Sequence, residues 1–233
     1  MKIIAISDLH GNLPEITETA DLLILGGDIS PLNIQSNLLL MEGWLSNIFS
    51  DWVNSIPVEQ VIMIAGNHDY WFERYGEDDN KLYDCLYSPT QYKIKYLHNQ
   101  KCIIYDENGN EISIFGTPYC GIYGNWPFMK SGDILKEKFN KIPEGIDILI
   151  AHSPAYGFCD IVENDRKKSH LGSVVLAERI HKVKPKLVLC GHIHTGNHNI
   201  EYCNGIEYVN ISLLDEKYKI KYNPFIYEYI SNI

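Results

Sequence analysis

Five times along this chain a short apolar run stops abruptly at a polar cluster. MKIIAIS is followed by Asp8-Leu9-His10-Gly11, DLLILGG by Asp28, VIMIA by Gly66-Asn67-His68-Asp69, IDILIA by His152, and KLVLC by Gly191-His192-Ile193-His194. A short, nearly continuous apolar run reads as a strand buried on both faces, the kind found in parallel sheets covered by helices. Repeating it restricts the chain to a layered α/β fold. It also gathers polar side chains, because open α/β sheets bind ligands at the carboxyl ends of their strands.

The rest of the patterning fills that frame. Residues 2–7, 22–26 and 58–65 read as strands. Between them, residues 34–54 read as a helix, with Ile34, Leu38, Met41, Leu45, Ile48 and Trp52 making one apolar stripe at spacings of three and four. The segment from Tyr70 to Asn99 is rich in tyrosine and charge and reads as a short helix mixed with loops. Residues 102–105 and 112–115 flank Asp106-Glu107-Asn108-Gly109-Asn110, and residues 200–203 and 206–209 flank Asn204-Gly205; both are hairpin signals. A glycine- and aromatic-rich loop spans Thr117 to Trp126, strands are expected at 146–151, 187–190 and 225–230, and a helix at 173–183. No linker or internal repeat divides residues 1–233, so a single domain with two sheets is expected.

Bulk properties narrow the function. The net charge of -10 argues against a nucleic-acid-binding surface but leaves a small anionic substrate open, because bound cations reverse a local field. No stretch reaches the ~20 apolar residues of a membrane helix, and the N-terminus lacks a signal peptide's apolar stretch and cleavage site. The six cysteines share no CxxC spacing, which argues against a zinc ribbon or redox motif; Cys102 and Cys190 read as core residues. Unpaired thiols suit a reducing compartment, so a soluble cytoplasmic protein is expected.

The clusters carry the chemistry. On an extended backbone Asp8 and His10 point the same way and can chelate one ion; in isolation the pair reads more readily as a turn aspartate and a surface histidine. Asp28 follows two glycines and can bridge two cations, or cap a turn. In Gly66-Asn67-His68-Asp69, Asn67 offers an amide oxygen, His68 a ligand or an acid, and Asp69 a carboxylate to orient it. His152 alone reads as a core histidine, whereas His192 and His194 form a chelating pair. Together the two aspartates, one asparagine and four histidines, with His68 left over, suffice for two adjacent divalent ions. Mixed oxygen and imidazole donors without thiolate suit Mn²⁺, Fe or Zn²⁺.

The series DLH, GD, GNHD, H, GHIH over residues 8–194 resembles the calcineurin-like metallophosphoesterase superfamily. Gly116-Thr117-Pro118-Tyr119, the stretch His152 to Gly157 with Asp160, and Gly191-His192-Ile193-His194-Thr195-Gly196 resemble its metallophosphoesterase-domain-containing subfamily. The GD block lacks the downstream arginine of the protein-phosphatase branch, and Ala155 stands where the family usually has a second proline. The resemblance implies a four-layer α/β/β/α sandwich of two mixed sheets flanked by helices. It implies that Asp8, His10 and His194 hold one metal, that Asn67, His152 and His192 hold the second, that Asp28 bridges them, and that His68 faces the phosphate.

With those roles, a metal-bridging hydroxide would attack phosphorus in line, the metals, Asn67 and His68 would stabilise charge on the equatorial oxygens, and His68 would act as general acid with Asp69 or another carboxylate raising its pKa. The subfamily resemblance points to phosphodiesters, nucleotide-like ones among them, and the net charge of -10 with no Lys/Arg-rich stretch argues against long nucleic acid. Tyr70, Trp71, Tyr119, Tyr123 and Trp126 lie in segments after motif strands and are candidates to stack on such a substrate, or to pack the core. His98, His170, His181 and His198 read as surface or structural histidines, with His170, just before the helix start at Gly172, the one of the four that could approach the site. The alternatives are a phosphomonoesterase or pyrophosphatase of the same fold, a nuclease, and a nucleotide-binding protein with weak activity.

Overall fold

A computed structural model describes residues 1–164 and 167–230. The apolar runs form strands of two large mixed sheets. In the first, Lys2–Ile6, Ala20–Leu25, Val58–Met63 and Ile94–Tyr96 lie side by side in parallel, and Phe225–Glu228 adds an antiparallel edge next to Lys2–Ile6. In the second, the spatial order is Glu201–Cys203, Ile206–Asn210, Leu187–Cys190, Ile148–Ala151, Glu111–Thr117, Gln100–Tyr105. Its inner pairs are parallel, and a hairpin closes each side.

Strand alternation sorts the apolar side chains into two layers. Ile3, Ala5, Leu22, Ile24, Ile148, Ile150, Leu187 and Leu189 fill one core between the sheets. Their neighbours Ile4, Ile6, Leu23, Leu25, Leu149, Ala151, Val188 and Cys190 face outward into helix-lined cores with Phe49, Phe72, Phe139, Leu176 and Ile180. Burial on both faces is what the continuous apolar runs require. The result is the four-layer α/β/β/α arrangement. Cys102 and Cys190 are buried in it, and all six cysteines are free thiols. Among the described residues no helix is long and apolar enough to cross a membrane.

The two sheets are stitched at one edge. Ser7, just past the first strand, accepts from the Leu213 N–H at 3.0 Å and donates its own N–H to Ile211 O at 2.8 Å. This bridge brings the carboxyl ends of both sheets' parallel strands to the same side of the molecule.

Several expectations need correction. The helix does not begin at residue 34: residues 32–36 are turns, and Asn37 caps Leu38–Gly43 by accepting from the Leu40 N–H. The helical span then passes through a π segment, Trp44–Phe49, before Ser50–Ser55. A π turn holds an extra residue, so the apolar stripe slips by one. Ile48, expected inside, is 58% exposed, and Phe49 is fully buried. The strand Ile94–Tyr96 sits in the segment expected to be helix and loop; at three residues with Lys95 in the middle it shows no readable period. Helix Gly132–Asn140 and the hairpin of Ile161–Asn164 with Lys167–His170 were also not anticipated. Both expected hairpins are present, and Asn204 and Gly205 both have positive φ, as a type I′ turn demands.

Candidate metal centre

Each polar cluster leaves the carboxyl end of a parallel strand at the stitched edge. Asp8 (φ 57°), His10 (φ 43°), Asp28 (φ 52°) and His192 (φ 68°) all adopt left-handed backbone. That conformation costs roughly 1 kcal/mol or more for a residue with a Cβ. It is held by bonds between the first two clusters: Asp8 N–H to Gly27 O at 3.0 Å, His10 N–H to Asp28 O at 2.9 Å, and Gly11 N–H to Ile29 O at 3.0 Å. Asp8 and His10 therefore converge through a left-handed turn, not through the extended alternation that the spacing suggested.

The side chains meet in two groups. Asp8, His10 and His194 offer ligand atoms within 4.8 Å of one another, and so do Asp28, His152 and His192. His194 Nε2 lies 3.4 Å from Asp8 Oδ1. Asp28 Oδ2 lies 3.3 Å from His152 Nε2 and 3.8 Å from His10 Nε2, which places this carboxylate between the groups. Asn67 Oδ1 is 3.0 Å from His152 Nε2. The paired histidines part company: His192 joins one group and His194 the other, so they do not chelate one ion together.

The donors suit cations. His152 Nδ1 donates to Gly26 O at 3.0 Å, and His194 Nδ1 donates to Asp215 O at 3.0 Å. These bonds aim the Nε2 lone pair of each neutral ring at carboxylate or amide oxygen, an arrangement that only a positive centre relieves. Space is reserved as well. A Cβ on Gly66 would strike Asp28 Oδ1 and His152, and one on Gly191 would strike Asp8 Oδ2 and Ser7.

Without a metal, a proton takes part of that place. Burial would lower the His152 pKa, but the Asp28 charge and hydrogen bond outweigh it and lift the ring to about 9. His194 is likewise raised against burial by Asp8. Burial holds His10 and His192 down to about 4. Burial would raise the carboxyls of Asp8 and Asp28, yet hydrogen bonds and charge from His194 and His152 respectively hold both well below the usual carboxylate range.

His68 lies in neither group. Its backbone N–H donates to Asp28 Oδ1 at 2.6 Å, and its Nδ1 lies 2.8 Å from Gln35 Oε1. Asp69 is not its partner, contrary to expectation. The fully buried Asp69 carboxylate accepts from the Ser30 N–H and hydroxyl at 3.0 and 2.6 Å and from the Gly66 N–H at 2.8 Å, tying the second cluster to the third. These contacts are those of a positioning group. Nor is the His68 pKa raised: burial lowers it, and the Asp28 charge only partly compensates.

Above the centre opens a cavity of about 590 Å³, lined by His10, Asp28, Asn67, His68, His192 and His194 together with aromatic and aliphatic side chains. Of the five aromatics singled out in the sequence, Tyr123 and Trp126 line it. The Tyr123 ring is 5.3 Å from His192, and Trp126 is 4.6 Å from His68. Tyr70 stands behind, edge-on to Trp126 at 6.3 Å. Trp71 and Tyr119 are core residues: Trp71 is fully buried against Phe72 and Tyr75, and Tyr119 packs against His98 and Phe128. His170 pairs with Asp160, at 2.7 Å, and belongs to neither ligand group.

The calcineurin-like phosphoesterase family model matches residues 1–196. The chain belongs to the calcineurin-like phosphoesterase family. Metallophosphoesterase domain-containing protein 1 of Homo sapiens is 32% identical to it, over 97% of this chain and 70% of the human protein. The Mus musculus protein of the same name matches equally. Among solved structures, the phosphopantetheinyl hydrolase of Mycobacterium tuberculosis shares the fold at 13% identity, with a TM-score of 0.58 over 93% of this chain and 90% of that one. A Thermus thermophilus protein, TT1561, does so at 14% identity, with a TM-score of 0.54 over 90% and 88%. This calcineurin-like phosphoesterase is a metal-dependent phosphoester hydrolase.

Part of its centre comes from beyond the family's matched span. The Ser212 hydroxyl donates to Asp8 Oδ2 at 2.7 Å, and Asp215 O accepts the hydrogen bond from His194 Nδ1–H. The Tyr218 ring stands edge-on to His10 at 4.9 Å and to His194 at 5.5 Å. None of these residues, nor Gln35, stood out in the sequence.

Proposed function

We propose that this phosphoesterase holds two divalent cations and hydrolyses small phosphodiesters carrying a ring-bearing substituent. Asp8, His10 and His194 would hold one ion, Asn67, His152 and His192 the other, with Asp28 shared. Mn²⁺, Fe and Zn²⁺ all suit this oxygen and imidazole donor set. When bound, such a pair of cations generates a nucleophile from water at neutral pH and neutralises charge on the phosphoryl oxygens.

The chain's own residues do the rest. Asp28 anchors the His68 backbone, so the imidazole is fixed relative to the shared carboxylate. His68 lines the cavity and, as the imidazolium, would give a proton to the leaving oxygen as the P–O bond breaks. Asp69 and Ser30 keep the second and third clusters in register. The observation that carries the diester reading is the cavity wall: Tyr123, Trp126 and Tyr218 with Ile122, Val162 and Leu171 offer a ring and its ester arm apolar contact beside the centre. The free thiols fit a reducing, cytoplasmic setting.

The test compares hydrolysis of bis(p-nitrophenyl) phosphate with that of p-nitrophenyl phosphate in the metal-loaded protein. Preference for the diester supports the reading; preference for the monoester assigns a phosphomonoesterase of the same fold.

A further inference from the structure

His68 is held on three sides. Gln35 Oε1 meets its Nδ1 at 2.8 Å, His10 stands edge-on at 4.8 Å, and Trp126 lies against it at 4.6 Å. Of these contacts only the one to Gln35 discriminates between the two ring nitrogens. An amide oxygen accepts and never donates, so this geometry requires the proton on Nδ1. The neutral Nδ1–H tautomer and the imidazolium both satisfy it. The neutral Nε2–H tautomer does not, because it sets two lone pairs against each other.

We infer that Gln35 is a positioning residue that holds the His68 ring with Nδ1–H on its amide oxygen and Nε2 toward the cavity, so that the imidazolium gives its proton from Nε2. Nε2 has no protein hydrogen bond among the described residues, and the ring lines the cavity. This rests on the proposed role of His68 in hydrolysis. His68 takes up a proton from water to become the imidazolium; as the P–O bond breaks, its electron pair goes to the leaving oxygen, which takes the Nε2 proton and leaves the neutral Nδ1–H ring. The Nδ1–H stays on Gln35 throughout, and no rearrangement of the ring is needed. A neutral amide gives this direction without adding charge beside Asp8 and Asp28. Gln35 itself sits half-buried in the turn 32–36, outside both ligand groups, so replacing it leaves the cores intact.

The experiment reads tautomer and kinetics on the full chain. Long-range ¹H–¹⁵N spectra of the Zn²⁺-loaded protein, with the His68 signals assigned by their loss in His68→Asn, should show neutral His68 protonated on Nδ1. Gln35→Leu should shift it toward Nε2–H, and Gln35→Glu should restore Nδ1–H. Gln35→Leu should also slow an alkoxide-leaving diester about tenfold more than bis(p-nitrophenyl) phosphate, with KM unchanged, because proton donation matters most for a poor leaving group. His68 protonated on Nε2 in the unsubstituted protein, or equal losses on both esters, would overturn the inference. If the unsubstituted protein cleaves neither ester, the hydrolytic reading falls while the spectra still decide the role of Gln35.

Discussion

Loading the centre with metal must expel a proton from His152. In the metal-free protein the ring is held at about 9, because the Asp28 charge and hydrogen bond prevail over burial. At pH 7 it is therefore mostly protonated, and freeing its Nε2 for a cation costs on the order of 3 kcal/mol. The apparent metal affinity should rise roughly tenfold per pH unit from pH 7 until the ring titrates near 9, then level off on account of this group. His10 and His192, held near 4 chiefly by burial, are already neutral and release nothing. His194, raised by Asp8, adds to the release in the same direction. The ¹⁵N spectrum of the metal-free protein at pH 7 should show His152 doubly protonated, and Zn²⁺ titration in two buffers of different ionisation enthalpy should count at least one proton leaving. A neutral His152 at pH 7 in the metal-free protein would refute the reasoning.

Gly66→Ala should cut metal affinity about 10–100-fold, since the new Cβ would displace Asp28 and His152; equilibrium dialysis checks it. Asp147 accepts from Ser113, Lys186 and Tyr229, and against burial these bonds hold its carboxyl at about 2. A carboxyl lower in the folded state stabilises above its unfolded value and loses that contribution as pH falls through the folded one. Asp147→Asn should therefore cost up to about 2 kcal/mol at pH 7, discounted for partial exposure, with the gap closing between about pH 4 and 2 in urea melts. Tyr123→Ala should raise KM for ring-bearing diesters about tenfold, the loss of one stacking contact, with kcat little changed.

The sheets were legible because each motif strand is buried on both faces and so carries an uninterrupted apolar run. The π segment was not, since spacings of three and four do not reveal one extra residue, and Ile48 and Phe49 exchange places for that reason. In the site, all seven proposed ligands stand at strand ends that the sequence marks. What failed were inferences from adjacency. Asp69 follows His68 in the chain, yet its carboxylate accepts from Ser30 and Gly66, while the histidine's partner is Gln35 from another loop. Trp71 follows Tyr70, yet on helix Tyr70–Tyr75 it faces the core. Ser212 reaches Asp8 across 204 residues, a contact that only the stitching of the two sheets creates.

Hydrolysis of bis(p-nitrophenyl) phosphate by the unsubstituted protein and by Asp28→Asn, each loaded in turn with Mn²⁺, Zn²⁺, Fe²⁺ and Mg²⁺, tests the shared-carboxylate centre most directly. The expected result is metal-dependent turnover in the unsubstituted protein and a loss of about 10³ or more in the variant, the scale of removing a group that stabilises charge in the transition state. Turnover retained in Asp28→Asn, or turnover indifferent to metal, would contradict it.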